Sequence, residues 1–480
     1  MSPITPIAPD ASVTERLERA IERETPTWGI RPVPDALRRF SGVDLAVLWG
    51  DLSIGLLVLV SGALLVPGLG LPMAVLAIVV GTVIGCVPLG LVAAAGARDG
   101  VPSMVLFRPV LGLRGSYVPS VANLVQLIGW TAFEFWAMGR VANAVSISLF
   151  GLDATFLWML LVAVVCTALA LAGPIFTVRR WLERFGVWIV VAVAVWITLK
   201  ILAGVDLHPI WSRPGVGGLP FWLGVDLVIA MPISWLPLVA DYSRFGREPR
   251  AAFVGTATGY ALGNVWFYLL GALLVLAAGS GPDVLDLGTT IAAAAGGGVV
   301  LVVLLVGESD NAMANVYSSA VSIQNARPAW SQRALIIAVG AAGLAIATAI
   351  GSDAAATLES FLLLIGSVFV PLFAVFLADW GIRAHGRFGE HALFDDAPPG
   401  IRWRAVLPWV IGFVVFQWCA PTTLVGWWTS GFAHVAHDWL GLPFPLVGDS
   451  ALGGSIPGFA AAFLVSLVVL PRRAARSETP

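Results

Sequence analysis

Apolar stretches of about 20 residues, the length that crosses a bilayer, recur along the chain with short polar or basic breaks between them. Twelve such spans are predicted, over residues 43–66, 72–97, 118–147, 153–173, 184–203, 219–243, 252–279, 297–326, 332–351, 354–382, 405–428 and 453–471. The pattern predicts an all-α polytopic membrane protein with twelve transmembrane helices. Composition agrees, because 58% of the 480 residues are hydrophobic and only 12% are charged, whereas soluble domains carry roughly 25% charged residues.

The basic residues set the expected orientation, since cytoplasmic loops collect Lys and Arg. Six arginines precede the first span, and every second loop after it is basic, which puts 24 of the 27 Lys and Arg on one side. Arg213 is the loop exception, and Arg140 and Lys200 lie within or at the end of spans. Both termini are therefore expected in the cytoplasm of a cell membrane, and an even number of spans satisfies that. The first 42 residues are polar and charged without a short apolar core, so no cleavable signal peptide is expected. The three cysteines, Cys86, Cys166 and Cys419, fall in spans and behave there as small apolar residues, with no disulfide framework expected.

An ionisable side chain near the bilayer centre costs at least about 2.5–3.5 kcal/mol, so it faces a cavity or a partner. Asp51, Glu134, Arg140, Asp226, Asp241, Glu308 and Asp310 occupy such positions, while Asp379 sits nearer a span end, where interfacial solvation accounts for it. In the eighth span, "GESDNAMANVYSSAVSIQN", helical spacing puts Glu308, Asn311, Asn315, Ser318 or Ser319, and Ser322 on one stripe. Helix-to-helix hydrogen bonding explains such a stripe in general. So many carbonyl and hydroxyl oxygens fit a hard cation or a polar ligand better.

The first and sixth spans carry interruptions. Gly50 and Gly55 flank a short polar stretch in the first, and Pro232 and Pro237 punctuate the sixth. Proline removes a backbone donor, and a broken helix is tolerated where it lines a cavity. Two broken spans five apart point to an inverted-repeat transporter with a midplane site. The expected division is a cytoplasmic segment 1–42, a first five-helix repeat 43–203, an inverted second repeat 219–382, two further helices in 405–471 and a tail 472–480. A faint echo, "DLSIG" from Asp51 and "DLVIA" from Asp226, is expected near the two breaks. Gly81 and Gly85, and Gly255, Gly259 and Gly263, suit close helix packing.

The segments "WGIRPVPDALR", "GSYVPSVANLVQLIGW", "MPISWLPLVADYSRF" and "NVYSSAVSIQNA" occur in that order, and together they resemble the purine-cytosine permease family, the nucleobase-cation symporters, including its hydroxymethylpyrimidine transporter-like branch. The similarity runs from about residue 23 to residue 470. It implies the LeuT-type fold, an inverted five-plus-five helix repeat followed by two helices. It also implies import of nucleobases, ureides or pyrimidines with Na⁺ or H⁺. An aromatic residue of the third span that stacks on the substrate corresponds to Trp130, and the edge-binding position four residues on, often glutamine in the family, is Glu134 here. An asparagine that contacts substrate corresponds to Asn315, and the coupling ion's position carries over to the carbonyls of Asp51 and Ile54 and to Asp310 and Asn311.

Ser234 and Trp235, beyond Pro232, and Gly55 at the first break complete the candidate substrate set. Asp241 and Arg244, three residues apart, read as an intrahelical ion pair. All five histidines fall outside the spans, so no intramembrane zinc pair is expected, and "HVAH" at 434–437 reads as an exposed amphipathic loop helix. No nucleophile–base pair or metal cluster marks an enzyme, and no filter-like loop marks a channel. The expectation is a secondary active importer of cytosine, a purine, hydroxymethylpyrimidine or a similar aminopyrimidine, with a hydantoin or allantoin as the alternative. Its expected partners are the substrate, the coupling cation and membrane lipid, with no nucleic acid and no cofactor. Protonated, Glu134 donates one hydrogen bond and accepts another. Burial without a cation favours that form, which suits an amino group beside a bare ring nitrogen.

Overall fold

In the computed structural model the described residues are 29–173, 186–351, 354–388, 390–394, 400–446 and 452–471. The tail 472–480, most of segment 1–42, and the arginines at 16, 19, 23, 179, 180, 184, 472, 473 and 476 lie outside them. The described residues are mostly helical, and each of the twelve predicted spans holds a helix. In chain order these are α1 (Gly42–Asp51), α2 (Leu56–Ala63), α3 (Leu71–Asp99), α4 (Tyr117–Phe150), α5 (Thr155–Ala172), α6 (Val187–Ala203), α7 (Phe221–Trp235) and α8 (Val239–Ser243). They continue as α9 (Pro249–Ala278), α10 (Val284–Ala295), α11 (Gly298–Ala326), α12 (Gln332–Ala347), α13 (Ala354–Phe376), α14 (Trp403–Cys419), α15 (Gly426–His434) and α16 (Ser455–Val469).

Five of these, α3, α5, α9, α11 and α13, are each long and apolar enough to cross a membrane alone, and α1 with α2 forms a sixth span bent by 62°. Helices α6, α7, α12, α14 and α16 are shorter apolar helices on predicted spans, and α4 is 34 residues long. The twelve residues of α10 were not foreseen; they lie between the seventh and eighth spans. The histidines fall outside the twelve spans, and His434 pairs with Asp438 on the exposed helical segment after α14.

The two breaks have different local causes. At the first, the Ser53 hydroxyl donates to the Gly50 carbonyl at 2.7 Å and the Ile54 N–H to Asp51 O at 2.8 Å, so local bonds replace the helical ladder. At the second, Pro237 has no N–H for the Ile233 carbonyl, which instead accepts from Leu236 N at 3.1 Å. Pro232 does not break the helix; it lies inside α7, packed where a side chain on Gly85 would meet its ring at 2.3 Å. Asp226 lies ten residues before the second break rather than beside it, so it does not mirror Asp51. Its carboxylate accepts the N–H groups of Gly454 and Ser455 at 2.6 and 3.0 Å and so caps α16.

Packing divides eight of the spans into two groups. Helices α1 and α2, α3, α7 and α9 pack on one another, and α4, α5, α11 and α12 form the other group. Glycines allow the first group its close approach: a Cβ at Gly255, Gly259 or Gly263 would come within 2.0–2.3 Å of Gly42 O, Ala46 O or Ser53 Oγ.

At one end residues 29–41 form a strap. Phe40 N donates to Phe245 O and Arg247 N to Phe40 O, both at 2.9 Å, and Arg244 reaches Gly29 O at 3.0 Å. At that end the Arg244 guanidinium also bonds the main-chain oxygen of Asp241, while the Asp241 carboxylate accepts from Ser103 N at 3.1 Å. The foreseen pairing through the two side chains is thus replaced by two main-chain bonds. Asp379 is fully buried rather than solvated, and it pairs with Arg402 at 3.1 Å.

Candidate functional site

Four of the polar residues singled out in the spans, Asp51, Glu134, Glu308 and Asp310, meet where α1 gives way to α2. Gly55 is extended, and as the N-cap residue of α2 it has no side chain to cap the helix. Glu308 of α11 supplies one, its Oε2 accepting from Leu56 N at 2.6 Å. A carboxylate at a helix N-terminus is favoured by the exposed N–H groups and the helix dipole. Gly55 permits this approach, since a Cβ there would lie 2.7 Å from Glu308 Oε2 and 3.1 Å from Asn311 Nδ2.

Two carboxyl pairs bridge the elements at this point. Asp51 of α1 faces Asp310 of α11 at hydrogen-bond range, and Glu134 of α4 faces Glu308. Among the described residues no Lys or Arg pairs with any of the four. Two carboxylates in contact repel, so each pair needs a proton or a cation between its oxygens. Of the cation candidates, Asp51, Asp310 and Asn311 are all buried, the Asp51 carbonyl takes the Ile54 N–H, and one oxygen each of Asp51, Asp310 and Asn311 has no hydrogen-bond partner. Among the described residues no three His, Cys, Asp or Glu side chains are grouped to hold a metal ion. The donor set is carboxyl, carbonyl and amide oxygen, suited to a hard monovalent cation or a proton.

Trp130 and Glu134 lie one turn apart on α4, 5% and 3% exposed. The Trp130 Nε1 and Glu134 Oε2 atoms are buried without hydrogen-bond partners, an arrangement that native interiors seldom leave unfilled. Trp130 meets Phe361 of α13 edge-on, with ring centroids 5.2 Å apart, and Phe133 meets the same ring at 5.7 Å. Asn315 is buried on α11, its carbonyl accepting from Ser319 Oγ. Trp235 packs edge-on against Trp49 at 5.8 Å, and the Ser234 hydroxyl turns back to Met231 O. What Ser234 presents to α4 is its carbonyl.

Sequence reasoning passed over four residues here. Gln126 stands one turn before Trp130, so Gln126, Trp130 and Glu134 form an i, i+4, i+8 row, and Asn123 lies beside it; amides within the oily "VANLVQLIGW" were the available signal. Phe361 and Phe133 carried none, being two of 24 phenylalanines.

Toward the end away from the strap, the cleft between Leu57, Phe133, Trp136, Val284 and Leu358 holds only about 10 Å³, the room of a single water. Toward the other end, Arg244 is fully buried and bonded to Tyr317 of α11 and to the strap.

A Bacillus subtilis protein named as a purine-cytosine permease is 25% identical over 420 residues, 82% of this chain and 87% of its own length. The hydantoin permease of Microbacterium maritypicum is 22% identical over 446 residues, 87% and 90% of the two chains. A nucleobase-cation-symport-1 family transporter, solved in a closed conformation with bromovinylhydantoin bound, superposes with a TM-score of 0.75 over 92% of this chain and 94% of its own at 19% identity. That likeness gives the fold, twelve transmembrane helices of the LeuT type. Residues 32–438 match the family model described as permease for cytosine/purines, uracil, thiamine, allantoin, and the chain belongs to that family of membrane transporters.

Proposed function

We propose that this transporter is a cation-coupled importer of the cell membrane whose substrate is a nucleobase or a related aminopyrimidine such as cytosine, a purine or hydroxymethylpyrimidine. Both termini are cytoplasmic in this reading, with the strap at the cytoplasmic end, and residues 43–203 and 219–382 are the two inverted repeats. One observation carries it: Trp130 and Glu134 offer an aromatic ring and a carboxyl one turn apart, buried beside the break between α1 and α2. A planar ring on the indole presents its edge to Glu134, with Gly55, Asn315, Ser234 and Trp235 around it. The cation sits with Asp51, Ile54, Asp310 and Asn311, where it joins α1 to α11. Because the ion relieves repulsion in the Asp51–Asp310 pair, it favours the state in which the two helix groups are drawn together, and substrate adds to the same bias.

A hydantoin or allantoin is the second reading. It is favoured by the permease named for hydantoin, which aligns with 87% of this chain. Thermal-shift binding to purified protein separates the readings, with cytosine, adenine, hydroxymethylpyrimidine, uracil, hydantoin and allantoin each tested in Na⁺ and in K⁺. Glu134→Gln retains weakened aminopyrimidine binding and Glu134→Leu abolishes it. Stabilisation by hydantoin but by no aminopyrimidine overturns the first reading, and an unaffected leucine variant removes Glu134 from recognition.

A further inference from the structure

The break between α7 and α8 frees two carbonyls, and both are taken by amides of α4. In an unbroken helix Ser234 O would accept from Leu238 N and Pro237 O from Asp241 N. Here Leu238 N turns to Trp235 O at 3.1 Å and Asp241 N to Leu238 O at 2.9 Å. Gln126 Nε2 donates to Ser234 O at 2.8 Å, and Asn123 Nδ2 reaches Pro237 O at 3.5 Å. The two amides are joined, Gln126 Nε2 donating to Asn123 Oδ1 at 2.7 Å, and Asn123 is anchored to α11 through Ser322 Oγ at 2.8 Å.

These bonds cross a boundary that packing hardly bridges. Helix α4 lies along α5, α11 and α12, while α7 lies along α3 and α13, and α4 and α7 share little backbone packing. A polar chain from Ser322 through Asn123 and Gln126 to Ser234 thus joins one helix group to the other. All four residues are buried, where an unmade bond is costly. The carbonyls of a break have no helical donor to return to, so they hold the amides only while the two groups stay together.

We infer that Asn123 and Gln126 form an amide clamp between the two helix groups, positioning the second break and keeping the strap end of the pathway shut until it releases. The inference rests on transport by movement of one helix group against the other, as proposed above. The clamp fixes Ser234 beside the substrate site without itself requiring substrate contact. When it lets go, the Gln126 and Asn123 amides and the two carbonyls are exposed together, and water or a passing polar ligand satisfies them.

Hydrogen–deuterium exchange on the purified full chain without substrate tests the clamp. Gln126→Leu keeps bulk and removes the donor; exchange is expected to speed at least fivefold in the strap 29–41 and in α8, while α10 at the opposite end exchanges no faster than in the wild type. Gln126→Met, of similar length and without a donor, gives the same pattern and serves should the leucine variant not fold. Ser322→Ala removes the anchor of Asn123 on α11 but neither bond to the break, and it speeds exchange at the strap end less than Gln126→Leu does. Equal acceleration at both ends, no acceleration at the strap end, or opening by Ser322→Ala as large as by Gln126→Leu overturns the clamp. Because no substrate is used, an error in the proposed substrate leaves this outcome unaltered.

Discussion

Replacing Gly55 by alanine tests whether the first helix break and the Glu308 carboxyl hold each other in place. Gly55 has φ −154° and ψ 165°, extended backbone that alanine adopts without strain. The added methyl would lie 2.7 Å from Glu308 Oε2 and 3.1 Å from Asn311 Nδ2, against 3.4–4 Å for ordinary contact. A loose carboxyl would swing aside, but this one is held by the 2.6 Å bond from Leu56 N. Moving it loses a hydrogen bond to a carboxyl, about 1.5–3 kcal/mol. Alanine's more restricted unfolded chain returns about 0.4–1 kcal/mol. The net expectation is a destabilisation of about 1–2 kcal/mol in equilibrium unfolding by SDS in mixed micelles. The cycle with Glu308→Ala sharpens it: once the carboxyl is gone the methyl meets only the Asn311 amide, at 3.1 Å, so most of the cost of Gly55→Ala disappears. The coupling between the two sites is then about 1–2 kcal/mol, within the range for residues in contact. Gly426→Ala, with no heavy atom within 4 Å of the new methyl, is the neutral control. An equal cost of Gly55→Ala with and without the Glu308 carboxyl refutes the reasoning.

Trp130→Ala is expected to lose ~1–3 kcal/mol of substrate binding, the range for base–aromatic stacking, with Trp130→Phe keeping part; calorimetric titration showing wild-type affinity for the alanine variant would make the residue packing alone. Asp310→Ala or Asn311→Ala raises the cation concentration for half-maximal uptake more than tenfold, about 1.4 kcal/mol, and unchanged ion dependence in both removes this cation site. Asp226→Ala costs about 0.5–2 kcal/mol of stability through the lost cap on α16, and its half-saturating substrate concentration stays at the wild-type value; a large rise there would place Asp226 in the pathway after all.

Hydrophobic run length determined the twelve spans, because a bilayer demands an apolar length and a self-bonded backbone wherever the chain crosses it. Gly50, Gly55 and Pro237 marked the breaks for the same local reason, since each alters what its own backbone can bond. Glu134, Glu308, Asp310 and Asp51 stood out because carboxyls are costly in lipid, whichever partner they find. Their partners were decided by tertiary structure: Glu308 lies 252 positions from the Leu56 N–H it caps, and nothing periodic in α11 names a helix start in another span. For the same reason Asp226 read only as a costly carboxyl near the second break until the N-terminus of α16 was found to be its partner, and Asp379 as solvated until Arg402 was found beside it. Gln126 and Asn123 were visible as polar letters, but their role depends on carbonyls that a proline frees more than a hundred residues away. Local chemistry is written in neighbouring residues, whereas the satisfaction of a buried polar atom depends on which distant element the packing brings to it.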